Sequence, residues 1–331
     1  MGVDMRPQPL LSICIPTYNR PDELWNALKI LSHQICGLSD ELQNKIHCFV
    51  SDNHSNHDAS DIVSEFASNI SIELEIQPNN IGPTLNFEYC FQRATGDYVL
   101  ILSDDDHLTE GSIADILDCL LERNPDILFL PFSPLPESEI KTISLERNTF
   151  LAHVEMLPTL ISSCIFRRKL IAEVFGRYLD TNMHHYHYFL HAVEYGMRFE
   201  TFCRQILISP YEHNSGGYNW FSVFGDQLFR IIDEFEAYNI DRKILNTIER
   251  ELLLRRIIPT FINRRVHGIT ISHKFEEDSV DNIAKIISKR CRRFLAYWLI
   301  FLPIYLVPEN LLRVTKKIYN RKNQIFKVKQ R

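Results

Sequence analysis

Short apolar runs alternate with longer amphipathic stretches over the first 135 residues of the chain. The segments between the apolar runs repeat large apolar residues every three or four positions, as in Leu24, Leu28 and Leu31, which is typical of helices. The apolar runs have the length and composition of buried β-strands and lie at residues 10–16, 46–52, 72–77, 97–104 and 126–132. Strands and helices in this order predict an α/β fold with a mostly parallel sheet covered by helices.

The alternation is lost after about residue 135. Residues 160–171 have the pattern of a strand that continues into a helix, and residues 197–210 are strand-like. From about residue 218 to the end, the pattern is mainly helical. We therefore predict an α/β part over residues 1–217 and a helical C-terminal region over residues 218–331.

The cysteines and the N-terminus indicate a reducing compartment. None of the eight cysteines forms a Cys-x-x-Cys pair, and several, such as Cys14 and Cys164, lie within apolar runs. Such cysteines are typically reduced and buried. The first ten residues lack the apolar core of a signal peptide. These features predict a cytoplasmic location.

The net charge of −6 is the sum of two opposite parts. Residues 283–331 carry 13 basic side chains and one acid, Glu309, so this tail has a charge of +12 while the rest carries −18. Residues 294–308 are uncharged, but a membrane span needs about 20 residues, and Pro303 interrupts this run. We predict an interfacial tail on the anionic inner face of the plasma membrane. A buried helix with a solvated basic tail is the alternative, and nothing else in the chain supports nucleic-acid binding.

Three polar clusters follow three of the predicted strands. "PTYNR" follows the first strand, "SDNHSN" the second, and the acidic triplet Asp104, Asp105 and Asp106 the fourth. In parallel sheets, ligands bind beyond the carboxyl ends of the strands, so we expect the three clusters to meet at one edge. Alone, the triplet is as typical of a solvated loop or a helix N-cap as of a metal site. Its position at this edge favours a ligand site.

Five segments in this order resemble the family 2 glycosyltransferases of GT-A (Rossmann-like) fold. They are "LSICIPTYNRPDEL", "FVSDNHSNHD", "NNIGPTLNF", "ATGDYVLILSDDDHL" and "SSCIFRRK". The resemblance covers roughly residues 10–215 and is to bacterial O-antigen and capsule transferases of the abequosyltransferase-like type. It implies an inverting transfer of a sugar from a nucleotide-sugar donor to a lipid-linked glycan acceptor. A sugar nucleotidyltransferase, which would need a glycine-rich phosphate loop, and a non-catalytic nucleotide-sugar scaffold are the alternatives.

The resemblance also implies a divalent cation, Mn²⁺ or Mg²⁺, at the acidic triplet. Such a cation offsets the charge that develops on the leaving nucleoside diphosphate, and it prefers carboxylate oxygens. Many family members have Asp-x-Asp-Asp here, whereas this chain has Ser103 in place of the first acid. Asp105 falls where the family usually ligates the metal, with Asp106 as a second candidate ligand. Asp104 or Asp106 would contact the ribose or a metal-bound water.

The other donor-binding positions implied by the resemblance lie in the loops that follow the strands. They are Pro16, Thr17 and Tyr18 at the nucleobase, Arg20 beside them, Asp52 at the base or ribose, Asn80 and Gly82 in a turn near the base, and His213 at phosphate or metal. Two alternatives stay open. Arg20 is also typical of a plain surface cation at a helix start. The glycine-containing loop around His213 is also typical of a flexible connector.

An inverting transferase also needs a general base for the acceptor hydroxyl. Family members usually place an Asp there, within a Glu-Asp pair that opens a helix, and this chain has Tyr186 and His187 at those positions. Neutral imidazole is a competent base near neutral pH. The resemblance therefore implies His187 as the first candidate, with Asp180 and His185 behind it. Surface histidines without a role, or a zinc site that uses His187 and His191, are the alternatives.

Overall fold

The computed structural model describes residues 8–133, 140–209, 218–235, 240–268, 278–308 and 311. Over these residues, eight strands form one sheet in the order β3-β2-β1-β4-β8-β6-β9-β7, and two short strands pair separately. The main strands are β1 (Leu11–Thr17), β2 (Ile46–Asp52), β3 (Ile72–Ile76), β4 (Tyr98–Ile101), β6 (Ile127–Phe129), β7 (Thr142–Leu145), β8 (Cys164–Arg167) and β9 (Phe199–Phe202). The separate pair is β5 (His107–Leu108) with β10 (Leu207–Ile208).

The sheet is parallel where the sequence alternates and mixed beyond that point. Strands β1, β2, β3 and β4 are all parallel, with Thr17 opposite Asp52 at their carboxyl ends. Strand β8 runs antiparallel to both β4 and β6, and β7 runs antiparallel to β9. The predicted α/β fold with a mostly parallel sheet is confirmed, while the two reversed strands, β7 and β8, were not predicted from the sequence.

Eight helices accompany the strands in the described residues up to 209. They are α1 (Pro21–Cys36), α2 (Asp40–Gln43), α3 (Ala59–Phe66), α4 (Pro83–Arg93), α5 (Ser112–Arg123), α6 (Arg147–Val154), α7 (Arg168–Ile171) and α8 (His184–Tyr195). Short 3₁₀ helices cover Leu157–Thr159, Ile161–Ser163 and Ala172–Val174. Both α1 and α4 begin with proline, whose fixed φ suits the first helical position and whose missing N–H is not needed there.

The central strand β1 is fully buried, with helices packed along it. Leu11, Ile13 and Ile15 belong to an apolar cluster that also contains Leu24 and Leu28 of α1. A second, aromatic group forms around Phe91 of α4, whose ring lies 6.4 Å from Phe166, 6.2 Å from Phe175 and 5.3 Å from Tyr188. Strands that are buried along their whole length read as continuous apolar runs, which is the pattern that the sequence has.

The described residues cluster into two compact units. One holds residues 8–209 together with 235 and 240–244, and the other holds residues 218–234 and the described residues from 245 onward. The second unit confirms the predicted helical C-terminal region. Its helices are α9 (Trp220–Ser222), α10 (Leu228–Glu234), α11 (Arg242–Leu252, whose first turn belongs to the other unit), α12 (Ile258–His267), α13 (Val280–Cys291) and α14 (Leu302–Leu306), with π-helical turns at Val223–Gln227, Leu253–Ile257 and Tyr297–Phe301. The exact boundary at residue 217 stays a prediction.

Part of the predicted membrane tail is folded into this second unit. Ile283, Ile287 and Cys291 of α13 are buried, as is Phe301 in the last π-helical turn. Over the ranges that the structure describes, no helix is both long and apolar enough to cross a membrane. The residues after 311 lie outside those ranges. The sequence alternative of a buried helix followed by a basic tail therefore fits residues 283–291.

Candidate functional site

The first loop and the acidic triplet meet at the carboxyl edge of the parallel strands. The Thr17 hydroxyl donates a hydrogen bond of 2.8 Å to Asp104 Oδ2, and Arg20 Nη1 lies 2.7 Å from Asp104 Oδ1. Arg20 also reaches Asp105 Oδ2 at 3.3 Å. Because these residues lie more than 80 positions apart in sequence, the register of β1 and β4 is what joins them. Arg20 is therefore a half-buried partner of the triplet rather than a plain surface cation.

The three aspartates have different environments. Asp104 and Asp106 are buried, whereas the Asp105 side chain is 21% exposed and accepts a 2.6 Å hydrogen bond from the Ser103 hydroxyl. Burial raises the pKa of Asp104 to about 6 against the opposing charge of Arg20. Burial also raises the pKa of Asp106 to about 6, against hydrogen bonds from serine hydroxyls. Crowding of carboxylates with little water is thus costly here, and a cation would relieve that cost.

The chemistry of this donor set fits a hard divalent cation. Asp106 Oδ2 is buried and has no hydrogen-bond partner, and Asp105 is the triplet carboxylate that solvent reaches. Over the described part of the chain, no three His, Cys, Asp or Glu side chains are arranged as a complete metal cage. Mg²⁺ and Mn²⁺ are commonly held by one or two carboxylates while the phosphates of the substrate and water complete the shell. Asp105 and Asp106 are suited to that arrangement.

The second loop is held by its own side chains. Asp52, fully buried at the end of β2, accepts hydrogen bonds from the Ser55 amide at 3.2 and 3.3 Å and from the Ser55 hydroxyl. Asn19 of the first loop has a φ of 54°, donates its amide to Ser55 Oγ at 2.8 Å, and accepts from the Asn56 amide at 2.8 Å. The first and second loops therefore form one hydrogen-bonded unit. Tyr18 stands out from it, 42% exposed.

Asn53 connects this unit to the "NNIGP" turn. Its side chain donates to Asn80 Oδ1 at 3.0 Å and accepts from the Ile81 amide at 2.9 Å. The Asn80 oxygen also accepts the Gly82 amide at 2.8 Å, and Gly82 has a φ of 84°, which glycine adopts without strain. Sequence reasoning singled out Asn80 and Gly82 but missed Asn53 and Asn19. The signal for both was an asparagine just beyond a strand end: Asn53 follows the last residue of β2 directly, and Asn19 lies two residues after the last residue of β1.

The candidate bases lie on and before α8. His187 is 1% exposed, with its ring 4.8 Å from Tyr178 and 5.6 Å from Phe235. His185 is also buried, and its Nε2 lies 3.0 Å from the Thr159 carbonyl oxygen. Asp180, in the turn before the helix, is exposed. The histidines of α8 are thus buried, so the alternative of surface histidines without a role does not describe them.

The turn before α8 lies beside the "NNIGP" turn. The Thr84 hydroxyl, two residues after Gly82, donates to the Thr181 carbonyl oxygen at 3.4 Å. Asp180 precedes Thr181 and is therefore close to this contact. The rings of His187 and His191 are 6.4 Å apart and nearly parallel, and the described residues around them supply no set of three metal ligands. His213 lies outside the described residues, so its predicted role stays a prediction.

These features define a GT-A-type fold with an acidic motif at the carboxyl edge of its sheet. Residues 12–175 match the family model described as "Glycosyl transferase family 2", so this part of the chain is a family 2 glycosyltransferase domain. Abequosyltransferase RfbV of Salmonella typhimurium is 32% identical over 120 residues, which are 36% of this chain and 34% of that protein. The chain thus matches about a third of the length of this relative.

Solved structures share the fold over a larger part of the chain. Staphylococcus aureus TarS 1-349 in complex with UDP-GlcNAc matches with a TM-score of 0.64 and 17% identity, over 86% of this chain and 82% of that one. The mannosyltransferase PcManGT of Pyrobaculum calidifontis, in complex with GDP-Man and Mn²⁺, matches with a TM-score of 0.54 and 14% identity, over 95% and 88%. These similarities confirm the fold.

Proposed function

We propose that the protein is an inverting glycosyltransferase that moves a sugar from a nucleotide-sugar donor to a glycan acceptor in bacterial surface polysaccharide synthesis. The observation that carries the proposal is the meeting of Thr17 and Arg20 with the acidic triplet at the carboxyl edge of a family 2 domain. The name of the abequosyltransferase relative and the bound UDP-GlcNAc and GDP-Man of the two structural neighbours support it.

In this proposal, the connected loops hold the nucleotide. Tyr18 offers an exposed ring for stacking on the base, with Pro16 and Thr17 beside it, and the fixed turn at Asn80 and Gly82 closes the other side. Asp52 is already committed to Ser55, so its contact with base or ribose would use the oxygen lone pairs that remain. Loops that are already hydrogen-bonded to each other lose little entropy when the donor binds.

We further propose that Asp105 and Asp106 hold Mn²⁺ or Mg²⁺. Such a cation, when bound, supplies positive charge to the diphosphate as the glycosidic bond breaks. Arg20 keeps Asp104 ionised and fixed, and Ser103 orients Asp105 through its hydroxyl. Because Ser103 replaces the usual acid, the site has one negative charge fewer. In this proposal, Asp104 makes the contact with the ribose.

Three candidates for the general base make different demands on the structure. His187 is the first candidate, and because it is buried, the acceptor would have to reach it between Tyr178 and the start of α8. Asp180 is exposed and lies next to the turn that contacts Thr84. His185 has one nitrogen at the Thr159 carbonyl and is the third candidate. Variants His187→Gln and Asp180→Asn separate the first two, because only loss of the base lowers kcat while donor affinity stays intact.

The acceptor is proposed to be lipid-linked, which would bring the enzyme to the inner face of the plasma membrane. The second unit exposes apolar side chains at Leu295, Trp298 and Leu299 next to the basic residues Arg292 and Arg293. Side chains of this kind lie at lipid surfaces, where apolar burial and attraction to anionic headgroups add.

Thermal melting with UDP-, GDP-, dTDP- and CDP-sugars, each with and without Mn²⁺, tests the proposal. We expect one nucleotide class to raise Tm with Mn²⁺, and slow hydrolysis of that donor to follow. Asp105→Asn should abolish both the Mn²⁺ dependence and the hydrolysis, whereas Asp118→Asn, an exposed aspartate on α5, should change neither. Donor binding without hydrolysis or transfer under any condition would instead support the scaffold alternative, and full activity in EDTA would exclude the metal.

A further inference from the structure

A basic cavity of about 890 Å³ lies within the C-terminal unit, apart from the residues of the proposed donor site. Its walls come from α13, the segment after it and α14, with one aspartate from α10. Five cationic side chains line it: Lys285, Lys289, Arg290, Arg292 and Arg293. Two acids, Asp233 and Asp281, face the same space. The cavity is thus cationic on balance, whereas the chain as a whole is acidic.

Three of the five cations are compensated by acids of the same unit. Arg290 contacts Asp226 and Asp233, each at 2.7 Å, and Lys289 Nζ lies 3.1 Å from Asp226. Arg293 pairs with the fully buried Glu249. These ion pairs hold α13 against its neighbours and fix the positions of the cationic side chains.

The other two cations have no such partner. In the described part of the chain, no carboxylate pairs with Lys285 or Arg292, both of which are exposed on the cavity wall. Asp281, the acid on the same wall, accepts a hydrogen bond of 2.9 Å from the Tyr305 hydroxyl rather than from either of these cations. Two free cations beside fixed ones form a set of donors that suits a phosphate. The Ser288 hydroxyl on the same wall is not part of this set, because it donates to the Ala284 carbonyl oxygen.

An apolar surface continues from the cavity. In the π-helical turn, Tyr297 and Phe301 point inward and are buried, while the three residues between them are large, apolar and exposed: Trp298 is 50%, Leu299 72% and Ile300 40% exposed. The Trp298 indole donates to the Arg292 carbonyl oxygen at 2.8 Å, which ties this surface to the cavity wall. Leu302 and Tyr305 line the cavity from the following helix.

We propose that this cavity binds the phosphate headgroup of an anionic lipid, with Lys285 and Arg292 as the main phosphate contacts and with Trp298, Leu299 and Ile300 inserted among the acyl chains. Cationic side chains next to exposed apolar ones match a phospholipid in both parts, because the headgroup is anionic and the chains are apolar. The proposal rests on the membrane contact of the proposed function but not on transfer, so the two can fail separately.

Quenching of Trp298 fluorescence by vesicles with brominated acyl chains tests this site in the full-length protein. The Trp298 signal is obtained by subtracting the fluorescence of the Trp298→Phe variant from that of the natural protein. This subtraction cancels the contributions of Trp25 and Trp220, which both proteins share. We expect strong quenching with vesicles that contain phosphatidic acid and at least fivefold less with pure phosphatidylcholine. The double variant Lys285→Ala/Arg292→Ala should reduce the quenching by phosphatidic acid vesicles to the phosphatidylcholine level.

The matched control is Arg255→Ala/Arg256→Ala, which removes two exposed arginines of the same unit that do not line the cavity. It should leave the quenching unchanged. Equal quenching in both double variants would overturn the proposal, as would quenching of equal strength on phosphatidylcholine. Inorganic phosphate or pyrophosphate that stabilises the protein through Lys285 and Arg292, without any Trp298 quenching by vesicles, would show a soluble phosphate site and also overturn it. Melting curves of both double variants check that they fold. If Lys285→Ala/Arg292→Ala does not fold, Lys285→Gln/Arg292→Gln is used for the same test.

Discussion

At the scale of single residues, Arg20 holds the candidate site together. It is the cation that Asp104 and Asp105 share, and without it two carboxylates would face each other with little solvent. We expect Arg20→Gln to cost about 1–3 kcal/mol of the free energy of unfolding, because it leaves a buried carboxylate without its charged partner. Donor binding with Mn²⁺ should weaken as well. Urea unfolding and calorimetric titration of the donor measure the two effects.

Arg20→Lys is the matched control for this prediction. It keeps the positive charge but loses the planar donor geometry that reaches two carboxylates at once. We expect it to recover most of the stability and only part of the donor affinity. Equal stability of Arg20→Gln and the natural protein would show that solvent or another side chain replaces the guanidinium at Asp104.

Gly96 is a position where a close backbone approach demands glycine. A Cβ there would lie 2.7 Å from the Ser12 amide nitrogen and 2.9 Å from the Tyr98 carbonyl oxygen, and backbone atoms cannot move aside cheaply. We expect Gly96→Ala to lower the free energy of unfolding by about 1–3 kcal/mol. At Gly37 the nearest atom would be 3.5 Å away, so Gly37→Ala should be close to neutral. Similar urea midpoints for the two variants would contradict this account.

The sequence predicted which residues would gather at the edge but not how they would bind each other. Asp104, Thr17 and Arg20 could be placed together because parallel strands end at the same edge. The links through Asn19 and Asn53 could not be predicted, because they depend on loop conformations such as the positive φ of Asn19. Which triplet carboxylate is exposed also depends on the tertiary packing around the end of β4 rather than on spacing.

At the scale of elements, α8 is unusual in burying four histidines. Burial lowers the pKa of His184 to about 3 and that of His185 to about 4, so both are neutral in the folded protein near pH 7. An unfolded chain protonates these side chains below about pH 6.5. The stability is therefore complete above pH 6.5 and falls as the pH drops from there toward 4, by up to about 1.4 kcal/mol per pH unit for each histidine.

Urea unfolding between pH 8 and pH 5 measures this dependence. His184 packs edge-on against Phe91 and Tyr188, so His184→Phe has a similar shape and no proton to bind. We expect this variant to lose about 2 kcal/mol less than the natural protein on going from pH 6.5 to pH 5. The exposed His33→Gln is the control and should follow the natural protein. An unchanged pH profile in His184→Phe would place the acid sensitivity elsewhere.

The strands whose direction depends on pairing with distant segments could not be predicted from the sequence. The strands β1, β2, β3 and β4 follow from apolar runs of the right length, and their parallel order follows from the helices between them. Strand β8 has the same kind of apolar run, yet it inserts antiparallel between β4 and β6. Direction in a sheet is decided by how the chain returns to it, and residues 130–163 contain too little regular pattern to predict that path.

At the scale of the whole molecule, charge separates the two parts of the chain more clearly than composition does. The acidic part contains the proposed donor site with its aspartate triplet, and the basic part contains most of the cavity wall and the tail. The structure changes how a truncation should be designed. Because α13 contributes buried side chains to the second unit, a chain that ends at residue 282 should unfold that unit rather than only release it from lipid.

A chain that ends at residue 311 is the sharper test of the tail. It removes eight basic residues and no acid, and it keeps the cavity. Each basic residue near an anionic surface contributes about 1 kcal/mol, so binding to phosphatidic acid vesicles should weaken at least tenfold while Tm stays the same. Raising the salt from 0.15 M to 1 M shortens the screening length from about 8 Å to about 3 Å. The full-length protein should therefore lose more affinity with salt than the shortened chain, and the Trp298 quenching that remains should still require Lys285 and Arg292. Equal binding and equal salt dependence of both chains would show that residues 312–331 do not contact the membrane.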